Sequence, residues 1–408
     1  MKLSLDVPPA ALALAAREAD HGDELTSSIR PLMYRAVSCR FGNTEEPEGG
    51  TTSVIIGHNP QIHGSGIRLA ISYERNTKVL DCAENLALLE DNQDQGLDET
   101  TIKKILPKID TLPGCKTIVT FETLADGSFH LESHIEIEKR VEEVLKPIEC
   151  PSVLLSDLVC INVLSTYVYL VNAPCLGRAV FKIPQEPEFE FEPDTSFARS
   201  LEFFLGLPDV EFLIRPSHIV LDTADVLRGF LMEYYPASSL AHVLRQHRQN
   251  ELTGKHALGT EQIPWAVKLA WATDIAAGVA WLHSQDIFWG DLKLANVVLC
   301  TDGHCRLIDY MPDGHTKGWC PPECADALPG MHPDTVEPCH DVFGLGLILW
   351  SLGSREVVTP EQGDRPGPGW MSEMPYEWFG RLVDRSMANE PGDRPTADHM
   401  YQTLVSHA

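Results

Sequence analysis

Four polar side chains that could carry chemistry stand close together in the sequence. Residues Trp289–Asn296 read W-G-D-L-K-L-A-N, which places Asp291, Lys293 and Asn296 in a D-x-K-x-x-N pattern. Asp309 follows Asn296 by thirteen positions. A carboxylate can accept a proton, and carboxylate and amide oxygens are the hard ligands that Mg²⁺ requires. Because a single D-x-K-x-x-N also fits an ordinary polar loop, its meaning depends on the neighbouring motifs.

Five further motifs surround this stretch. They are Ala179–Lys182 (A-V-F-K), Leu231–Pro236 (L-M-E-Y-Y-P), Pro321–Glu323 (P-P-E), Asp341–Gly346 (D-V-F-G-L-G) and Asp393–Thr396 (D-R-P-T). With D-x-K-x-x-N and the later Asp, they resemble the motifs of protein kinases in their family order. The resemblance covers about residues 152–408 and implies an ATP- and Mg²⁺-dependent phosphotransferase.

The resemblance also implies a role for each site residue. Asp291 would accept the proton of the substrate hydroxyl, and Lys293 would reach the γ-phosphate of ATP. Asn296 and Asp309 would bind Mg²⁺ together with the nucleotide phosphates. The other cofactor-binding residues would contact ATP or orient Lys182, with Met232 as gatekeeper and Glu202 as the partner of Lys182. They are Val180, Lys182, Glu202, Met232, Glu233, Tyr234 and Val298.

Two structural roles follow from the same resemblance. Glu323 and Arg394 would form a buried ion pair, and loss of either partner would leave an uncompensated charge. Asp341 would hold the backbone of the loop that contains Asp291. Lys293 matches the Ser/Thr-type loop better than the Ala-rich tyrosine type, so we expect phosphorylation of Ser or Thr in a protein substrate.

The sequence departs from the family pattern at several positions. Trp289-Gly290 replaces His-Arg, Tyr310-Met311 replaces Phe-Gly, and no G-x-G-x-x-G precedes Lys182. Reduced nucleotide affinity is one expected consequence, because glycines allow the closest backbone approach to phosphates. A pseudokinase, acting as a nucleotide-binding or scaffold module, is therefore the alternative hypothesis. A small-molecule phosphotransferase is disfavoured, because the last three motifs are typical of protein kinases.

Regulation by phosphorylation is also predicted to differ. An activating phosphate needs a nearby Arg to bind it, and the Arg that kinases place before the catalytic Asp is Gly290 here. The short segment between Asp309 and Glu323 contains one Ser/Thr hydroxyl, that of Thr316. We therefore expect activity that does not depend on phosphorylation of this segment, and Trp289 and Tyr310 could pack it in place.

The predicted fold class is α+β: a bilobal protein-kinase-like fold preceded by a small α+β region. The small β-rich N-lobe would span about residues 151–236 and the helical C-lobe about 237–408. The N-lobe has a predicted helix at Thr195–Leu207 and five predicted strands: Leu155–Val163, Tyr167–Val171, Arg178–Ile183, Ile219–Asp222 and Leu227–Glu233. In the C-lobe, apolar residues from Val267 to Leu282 recur at helical spacing, and Val342–Leu352 is apolar enough for a core helix.

Residues 1–150 carry no motif with an identifiable chemistry. Strands are predicted at Thr52–Ile56 and Ile67–Tyr73, because both stretches are β-branched or alternate in polarity. Thr117–Leu124 and Ser128–Glu138 flank Ala125-Asp126-Gly127, a hairpin loop with glycine where positive φ is required. Helices are predicted at Thr101–Ile109 and Lys139–Lys146.

Composition limits the function classes. The 408 residues are 43% apolar and 22% charged, with a net charge of −27 and no basic stripe, so nucleic acid and anionic membranes are disfavoured partners.

No apolar run approaches the roughly 18 residues of a membrane span. Asp6 and Pro8-Pro9 interrupt the weakly signal-like N-terminus. The odd cysteine count of 11 favours a reducing compartment, so we expect a cytoplasmic protein, with the nucleus left open. The oligomeric state is not predicted.

A group of cysteines and histidines in the same part of the sequence suggests a different kind of site, one that binds zinc. Its members fall within 41 residues of sequence and are Cys300, His304, Cys305, His315, Cys320, Cys324, Cys339 and His340. The C-x-x-C spacing typical of structural zinc sites is missing. Asp302-Gly303 between Cys300 and Cys305 instead indicates a hairpin turn. We therefore predict ordinary thiols and no zinc.

Overall fold

The computed structural model describes residues 36–41, 49–56, 67–88, 97, 99–105, 108–109, 115–137, 141–145, 150–165, 168–183, 195–253, 263–310, 316, 318–324, 336–354 and 369–408. The described residues fall into two compact units. The helical unit comprises Pro208–Arg215 and Tyr235–Ala408, and the β-rich unit comprises residues 36–207 and Pro216–Tyr234. Within the described ranges, no helix has the length and apolar character needed to cross a membrane.

The first sheet of the β-rich unit has five strands in chain order. They are β1 (Ala36–Phe41), β2 (Gly49–Ile56), β3 (Ile67–Glu74), β4 (Cys115–Thr123) and β5 (Phe129–Ile137). Only β3 and β4 are parallel, and helices α1 (Ala83–Ala87) and α2 (Glu99–Ile105) lie between them in the chain. The predicted hairpin is confirmed, because Gly127 has φ 78° in the turn between β4 and β5.

One face of this sheet forms a small core. Alternate residues of β3 and β4, such as Tyr73 and Phe121, pack with Ile102 and Ile105 of α2. The helix predicted at Thr101–Ile109 ends earlier than expected, because α2 ends at Ile105. The helix predicted at Lys139–Lys146 is only the single turn α3 (Val141–Val144). The domain boundary near residue 150 stays a prediction.

The second sheet of the β-rich unit has six strands. They are β6 (Ser152–Leu154), β7 (Val159–Ser165), β8 (Val168–Ala173), β9 (Gly177–Lys182), β10 (His218–Leu221) and β11 (Leu227–Glu233). Their order is β6-β10-β11-β9-β8-β7, with only β6 and β10 parallel. Helix α4 (Thr195–Gly206) lies between β9 and β10 in the chain. The predicted strand Leu155–Val163 begins too early, because Leu155–Asp157 forms a 3₁₀ turn in which Leu158 N donates to Leu155 O.

A close backbone approach joins β9 and β11. Gly229 on β11 has φ +148°, and a Cβ atom there would lie 2.2 Å from the carbonyl oxygen of Lys182. Only glycine fits this position, because the backbone it would meet cannot move aside. The strand that carries Lys182 is thus held directly against β11.

The helical unit is built around two buried helices. Its helices are α5 (Leu240–Thr253), α6 (Trp265–His283), α7 (Pro338–Gly353), α8 (Glu377–Ser386) and α9 (Ala397–Val405). Helix α6 packs against α7 and α9. As predicted, every residue of Val342–Leu352 in α7 is buried. The predicted apolar face of α6 is buried too, at Val267, Trp271, Ile275, Val279 and Leu282. A helix that is apolar all round is stable only in such a core.

The remaining strands of the helical unit form the predicted hairpin. Strands β12 (Val297–Leu299) and β13 (Cys305–Leu307) are antiparallel, and Gly303 has φ 82° in their turn. Leu307 exchanges backbone hydrogen bonds with Phe212 and Ile214, so the hairpin is also paired with the 208–215 segment.

Candidate active site

The loop between α6 and β12 is held by the carboxylate of Asp341 at the start of α7. Its Oδ2 accepts a hydrogen bond from Trp289 N at 2.7 Å, and its Oδ1 accepts one from Gly290 N at 2.9 Å. His283 Nε2 lies 2.9 Å from the same Oδ2. Asp341 is 1% exposed, so these contacts satisfy a buried charge. The role predicted for Asp341 is confirmed.

Helix α7 touches the same loop at a second point. A Cβ atom on Gly344 would lie 2.7 Å from the carbonyl oxygen of Leu292. The helix can approach this closely only because residue 344 has no side chain. Asp341 and Gly344 together fix the backbone on both sides of Asp291.

Asp291 and Lys293 form a bonded pair that includes a third residue, Thr316. Lys293 Nζ donates to Asp291 Oδ2 at 2.6 Å and to Thr316 Oγ1 at 2.5 Å. The backbone N–H of Thr316 donates to Asp291 Oδ1 at 3.1 Å. Asp291 is 8% exposed and the Lys293 side chain 19%, so the pair is largely shielded from water. Each oxygen of the carboxylate therefore has a fixed direction.

Asn296 joins this group through its amide nitrogen. Its Nδ2 donates to the backbone oxygen of Asp291 at 2.9 Å, and lies 3.4 Å from Asp291 Oδ2. The amide oxygen is then the atom of Asn296 that is left to meet a metal ion. Ile308 N donates to Asn296 O at 2.9 Å, which brings Asp309 next to Asn296 in the fold. An amide oxygen beside a carboxylate is a donor set that fits Mg²⁺.

Two aromatic residues that replace family residues pack against each other. The rings of Trp289 and Tyr310 meet edge to face, with centroids 5.3 Å apart and planes at 74°. Both residues are buried. Asp309, directly before Tyr310, has φ 67°, a left-handed conformation that Asp tolerates better than most residues. That these two rings pack the segment after Asp309 in place stays a prediction, because Met311 and the residues up to His315 lie outside the described residues.

The predicted nucleotide-binding residues of the β-rich unit lie on neighbouring elements. Val180 and Met232 are register partners across β9 and β11, and Lys182 is the last residue of β9. Met232 is buried and Val180 half-buried, while Glu233 ends β11 and Tyr234 follows it. Glu202 is half-buried on α4. Its pairing with Lys182 and the nucleotide contacts of this group stay predictions.

The remaining predicted nucleotide contact belongs to the helical unit. Val298 is the central residue of β12, is half-buried, and pairs with Arg306 of β13. It is two positions from Asn296, so it lies on the hairpin that connects the two predicted metal-binding residues, Asn296 and Asp309. Its contact with the nucleotide stays a prediction.

The predicted pair of Glu323 and Arg394 is present and bidentate, but it is buried only on the Arg394 side, because Glu323 lies in an exposed turn. Arg394 Nη1 and Nη2 donate to Glu323 Oε1 and Oε2 at 2.6 and 2.7 Å. Arg394 also donates to the carbonyl oxygens of Cys339 and Ala388. Burial raises the pKa of Glu323, but the hydrogen bonds and charge of Arg394 bring that pKa below its ordinary value.

Comparison with known families agrees with this geometry. The sequence profile described as the protein kinase domain matches residues 180–404, which is more than half of the chain. The chain belongs to the protein kinase domain family. The two lobes of the kinase domain correspond to the six-stranded sheet with α4 and to the helical unit, so the predicted bilobal α+β fold is confirmed.

Several curated proteins are similar to the kinase domain at low identity. Receptor-interacting serine/threonine-protein kinase 2 of Bos taurus is 26% identical over 205 residues, which are 41% of this chain and 35% of that protein. Dual serine/threonine and tyrosine protein kinase of Homo sapiens is 27% identical over 205 residues, which are 47% of this chain and 19% of that protein. Cyclic GMP-binding protein C of Dictyostelium discoideum is 25% identical over 283 residues, which are 56% of this chain and 10% of that protein. The chain spans about a third or less of each relative's length.

The potential zinc ligands of the kinase domain separate into two groups. Cys300, His304 and Cys305 lie on the β12–β13 hairpin, whereas Cys320, Cys324, Cys339 and His340 lie near Glu323. His315 is outside the described residues. The five cysteines named here are free thiols, and burial raises the pKa of Cys324 to about 11, which disfavours the thiolate that zinc binds.

Among the residues that the structure describes, Cys339 and His340 of the second group lie with Glu323 at a spacing that a metal ion would require. Ligand atoms of Glu323, Cys339 and His340 lie within 4.8 Å of one another. However, Arg394 takes both oxygens of Glu323, and His340 Nδ1 accepts a hydrogen bond from Glu337 N. A metal ion would have to displace the guanidinium cation. The absence of zinc stays a prediction, and the need to displace the Arg394 guanidinium is a physical reason to expect it.

Sequence reasoning missed two residues of the site. Thr316 is predicted from sequence only as a phosphorylation candidate, because it is the one Ser/Thr hydroxyl between Asp309 and Glu323. His283 ends α6, and nothing in its local sequence indicates the contact with Asp341. Both contacts are made between separate chain segments, so local patterns carry little information about them.

Proposed function

We propose that this chain is a protein kinase that transfers the γ-phosphate of ATP to a Ser or Thr hydroxyl of a protein substrate. The observation that carries the proposal is the carboxylate of Asp291, fixed by Lys293 and by the Thr316 amide. Phosphoryl transfer depends on positioning and charge neutralisation more than on covalent catalysis, and this group supplies both.

Asp291 orients the substrate hydroxyl and accepts its proton. Its carboxylate oxygens have fixed directions, because Lys293 binds Oδ2 and the Thr316 amide binds Oδ1. Pre-set orientation avoids a reorganisation cost in the transition state. Lys293 has a second function, because its ammonium group can also offset negative charge on the transferred phosphoryl group.

Asn296 and Asp309 are the residues that would hold Mg²⁺. The cation, when bound, neutralises phosphate charge and orients the nucleotide. Asn296 is fixed by its bond to the Asp291 backbone, and Asp309 is adjacent through the Ile308–Asn296 hydrogen bond. The base and the metal-binding residues therefore form one connected unit.

Specificity for Ser and Thr is supported by two observations. Lys293 occupies the loop position that resembles Ser/Thr kinases, and it binds Thr316 directly. Among the relatives, the names of several include serine/threonine-protein kinase. These features favour an aliphatic hydroxyl acceptor.

The direct test is phosphotransfer by the purified full chain with radiolabelled ATP and Mg²⁺. Basic and acidic proteins serve as acceptors, followed by phosphoamino-acid analysis. We expect phosphoserine or phosphothreonine from the wild type and at least a ~100-fold lower rate from Asp291→Asn. Asp286→Asn is the matched control, because Asp286 is exposed in the turn after α6. Equal rates for wild type and Asp291→Asn would contradict the proposal.

A pseudokinase is the second candidate, and a specific observation favours it. The strands β7 and β8 contain no glycine between Val159 and Ala173, where kinases place their phosphate-binding loop. Calorimetry with Mg²⁺-ATP separates the candidates. Binding that is weakened by Asp309→Asn, without phosphotransfer, supports the nucleotide-binding pseudokinase. Equal affinity of the wild type and Asp309→Asn would remove Asp309 from the metal site.

A further inference from the structure

The turn of the β12–β13 hairpin is bound to helix α6 by two side chains of that helix. Trp271 Nε1 donates to Gly303 O at 3.2 Å. The carboxylate of Asp274 accepts a hydrogen bond from Cys305 N at 2.9 Å, and its Oδ2 lies 3.0 Å from His304 Nδ1. Asp274 is 3% exposed. The hairpin thus supplies the partners of a buried carboxylate.

The opposite end of the same hairpin carries the metal-binding residues of the proposed kinase. Asn296 directly precedes β12, and Asp309 lies two residues beyond β13. Ile308 N donates to Asn296 O at 2.9 Å and closes this end. The paired strands between the two ends are only three residues long. A displacement of the turn is therefore transmitted to the residues at the other end, and displacements of about 1 Å matter at reacting centres.

We propose that Asp274 and His304 form a proton-dependent clasp that positions Asn296 and Asp309. Asp274 and His304 are positioning residues, because they act through the hairpin. The inference rests on the proposed function only in assigning Mg²⁺-binding to the positioned residues.

Charges around His304 determine the direction of the pH dependence. It is faced by Asp274 from α6, and by Asp302 and Arg306 from the hairpin itself. The hydrogen bond to Asp274 raises the pKa of His304, although burial opposes the shift. A raised histidine pKa gives stability that is complete below the ordinary value of about 6.5 and is lost as pH rises through the raised pKa. Burial raises the pKa of Asp274, so the carboxylate loses its charge at the acidic end of the range. The clasp is therefore strongest between the pKa of Asp274 and the raised pKa of His304, and it weakens in the alkaline direction.

The test uses substitutions that separate the charge of His304 from its hydrogen bond. In His304→Asn, the amide nitrogen takes the place of Nδ1 and can donate to Asp274, but it does not titrate. His304→Ala removes both the charge and the bond, and Asp274→Asn removes the negative partner. His399→Asn is the control, because His399 is exposed on α9. Each full-length variant is followed by NMR titration of imidazoles and by the protection factor of the Ile308 amide against hydrogen exchange.

We expect the wild-type protection factor of Ile308 to fall about tenfold, or about 1.4 kcal/mol, as pH rises through the titration of His304. This inflection should vanish in His304→Asn and shift to lower pH in Asp274→Asn. In His304→Ala, protection should be low at every pH. The proposal is overturned if the wild-type protection factor of Ile308 does not change as His304 titrates. It is also overturned if the protection factor is the same in His304→Ala as in the wild type.

Hydrogen exchange needs no nucleotide, so this result is independent of the kinase assay. A wild type that neither binds Mg²⁺-ATP nor transfers phosphate contradicts the proposed function, and the protection factors still decide on the clasp. In an active wild type, kcat should follow the same inflection, and His304→Asn should remove it. An active enzyme whose kcat keeps the same pH profile in His304→Asn also overturns the proposal.

Discussion

Thr316 shows at the scale of one residue how contacts change the interpretation of a sequence position. Its hydroxyl accepts a hydrogen bond from Lys293, and its amide donates to Asp291. A phosphate on this hydroxyl would add roughly two negative charges beside the Asp291 carboxylate. Independence from phosphorylation of the segment between Asp309 and Glu323 stays a prediction. The engaged hydroxyl adds a reason to expect it.

Removing the Thr316 hydroxyl should slow phosphotransfer. We expect Thr316→Val to lower kcat about tenfold, because Lys293 loses one of its two oxygen partners and Asp291 becomes less fixed. Thr316→Ser keeps the hydroxyl and should retain most of the rate. Steady-state kinetics of the wild type and both variants provide the measurement. If Thr316→Val is as fast as the wild type, the hydroxyl has no part in positioning Asp291.

At the scale of elements, helix α7 supports the loop that contains Asp291. Its first turns contribute Asp341, which binds the loop amides, and Gly344, which contacts the Leu292 carbonyl. The helix can hold the loop rigidly because every residue from His340 to Gly353 is buried. Packing of this helix and chemistry at Asp291 are therefore linked.

A methyl group at residue 344 should separate the helix from the loop. Alanine favours helices over glycine by about 1 kcal/mol, but the methyl would lie 2.7 Å from a backbone oxygen. Overpacking costs about 1–3 kcal/mol, so we expect Gly344→Ala to destabilise the fold and to lower kcat. Urea unfolding and kinetics measure the two effects.

Gly392→Ala is the control for this substitution. No heavy atom lies within 4 Å of the position that its Cβ would take. Its unfolding free energy should stay within about 0.5 kcal/mol of the wild type. Equal stability of Gly344→Ala and Gly392→Ala would show that α7 can move away from the loop at little cost.

At the scale of the whole molecule, the Glu323–Arg394 pair joins parts of the chain that are 71 residues apart. The Arg394 side chain is fully buried and stacks over the ring of Phe343, with its guanidinium carbon 5.1 Å from the centroid. This one pair ties the segment after Asp309 to the C-terminal part of the fold.

Loss of the Glu323 charge should destabilise the fold in a pH-dependent manner. The pKa of Glu323 is lowered in the fold, so its contribution is complete above the ordinary value of about 4.5 and is lost as pH falls through the lowered pKa. We expect Glu323→Gln to cost about 2 kcal/mol at pH 7 and progressively less below pH ~4.5. Urea unfolding at several pH values measures the difference.

The exposed pair of Glu377 and Arg381 provides the control for that experiment. Both side chains are more than two-thirds exposed, and exposed helical pairs contribute about 0.5 kcal/mol or less. Glu377→Gln should therefore have little effect at any pH. A Glu323→Gln variant that behaves like Glu377→Gln would mean that burial of Arg394 adds nothing to the pair.

Local patterns and the order of the motifs predicted much of the fold and the residues that support the candidate site. The hairpin around Gly127, the buried faces of α6 and α7 and the roles of Asp341 and Glu323 were predictable, because periodicity, turn chemistry and motif order are properties of short segments. Only the tertiary structure decided the parallel pairing of β6 with β10, the Lys293–Thr316 bond and the Asp274–His304 contact. These join segments distant in sequence, and nothing in either segment alone specifies its partner. Their energy depends on which side chains the completed fold brings within hydrogen-bonding distance.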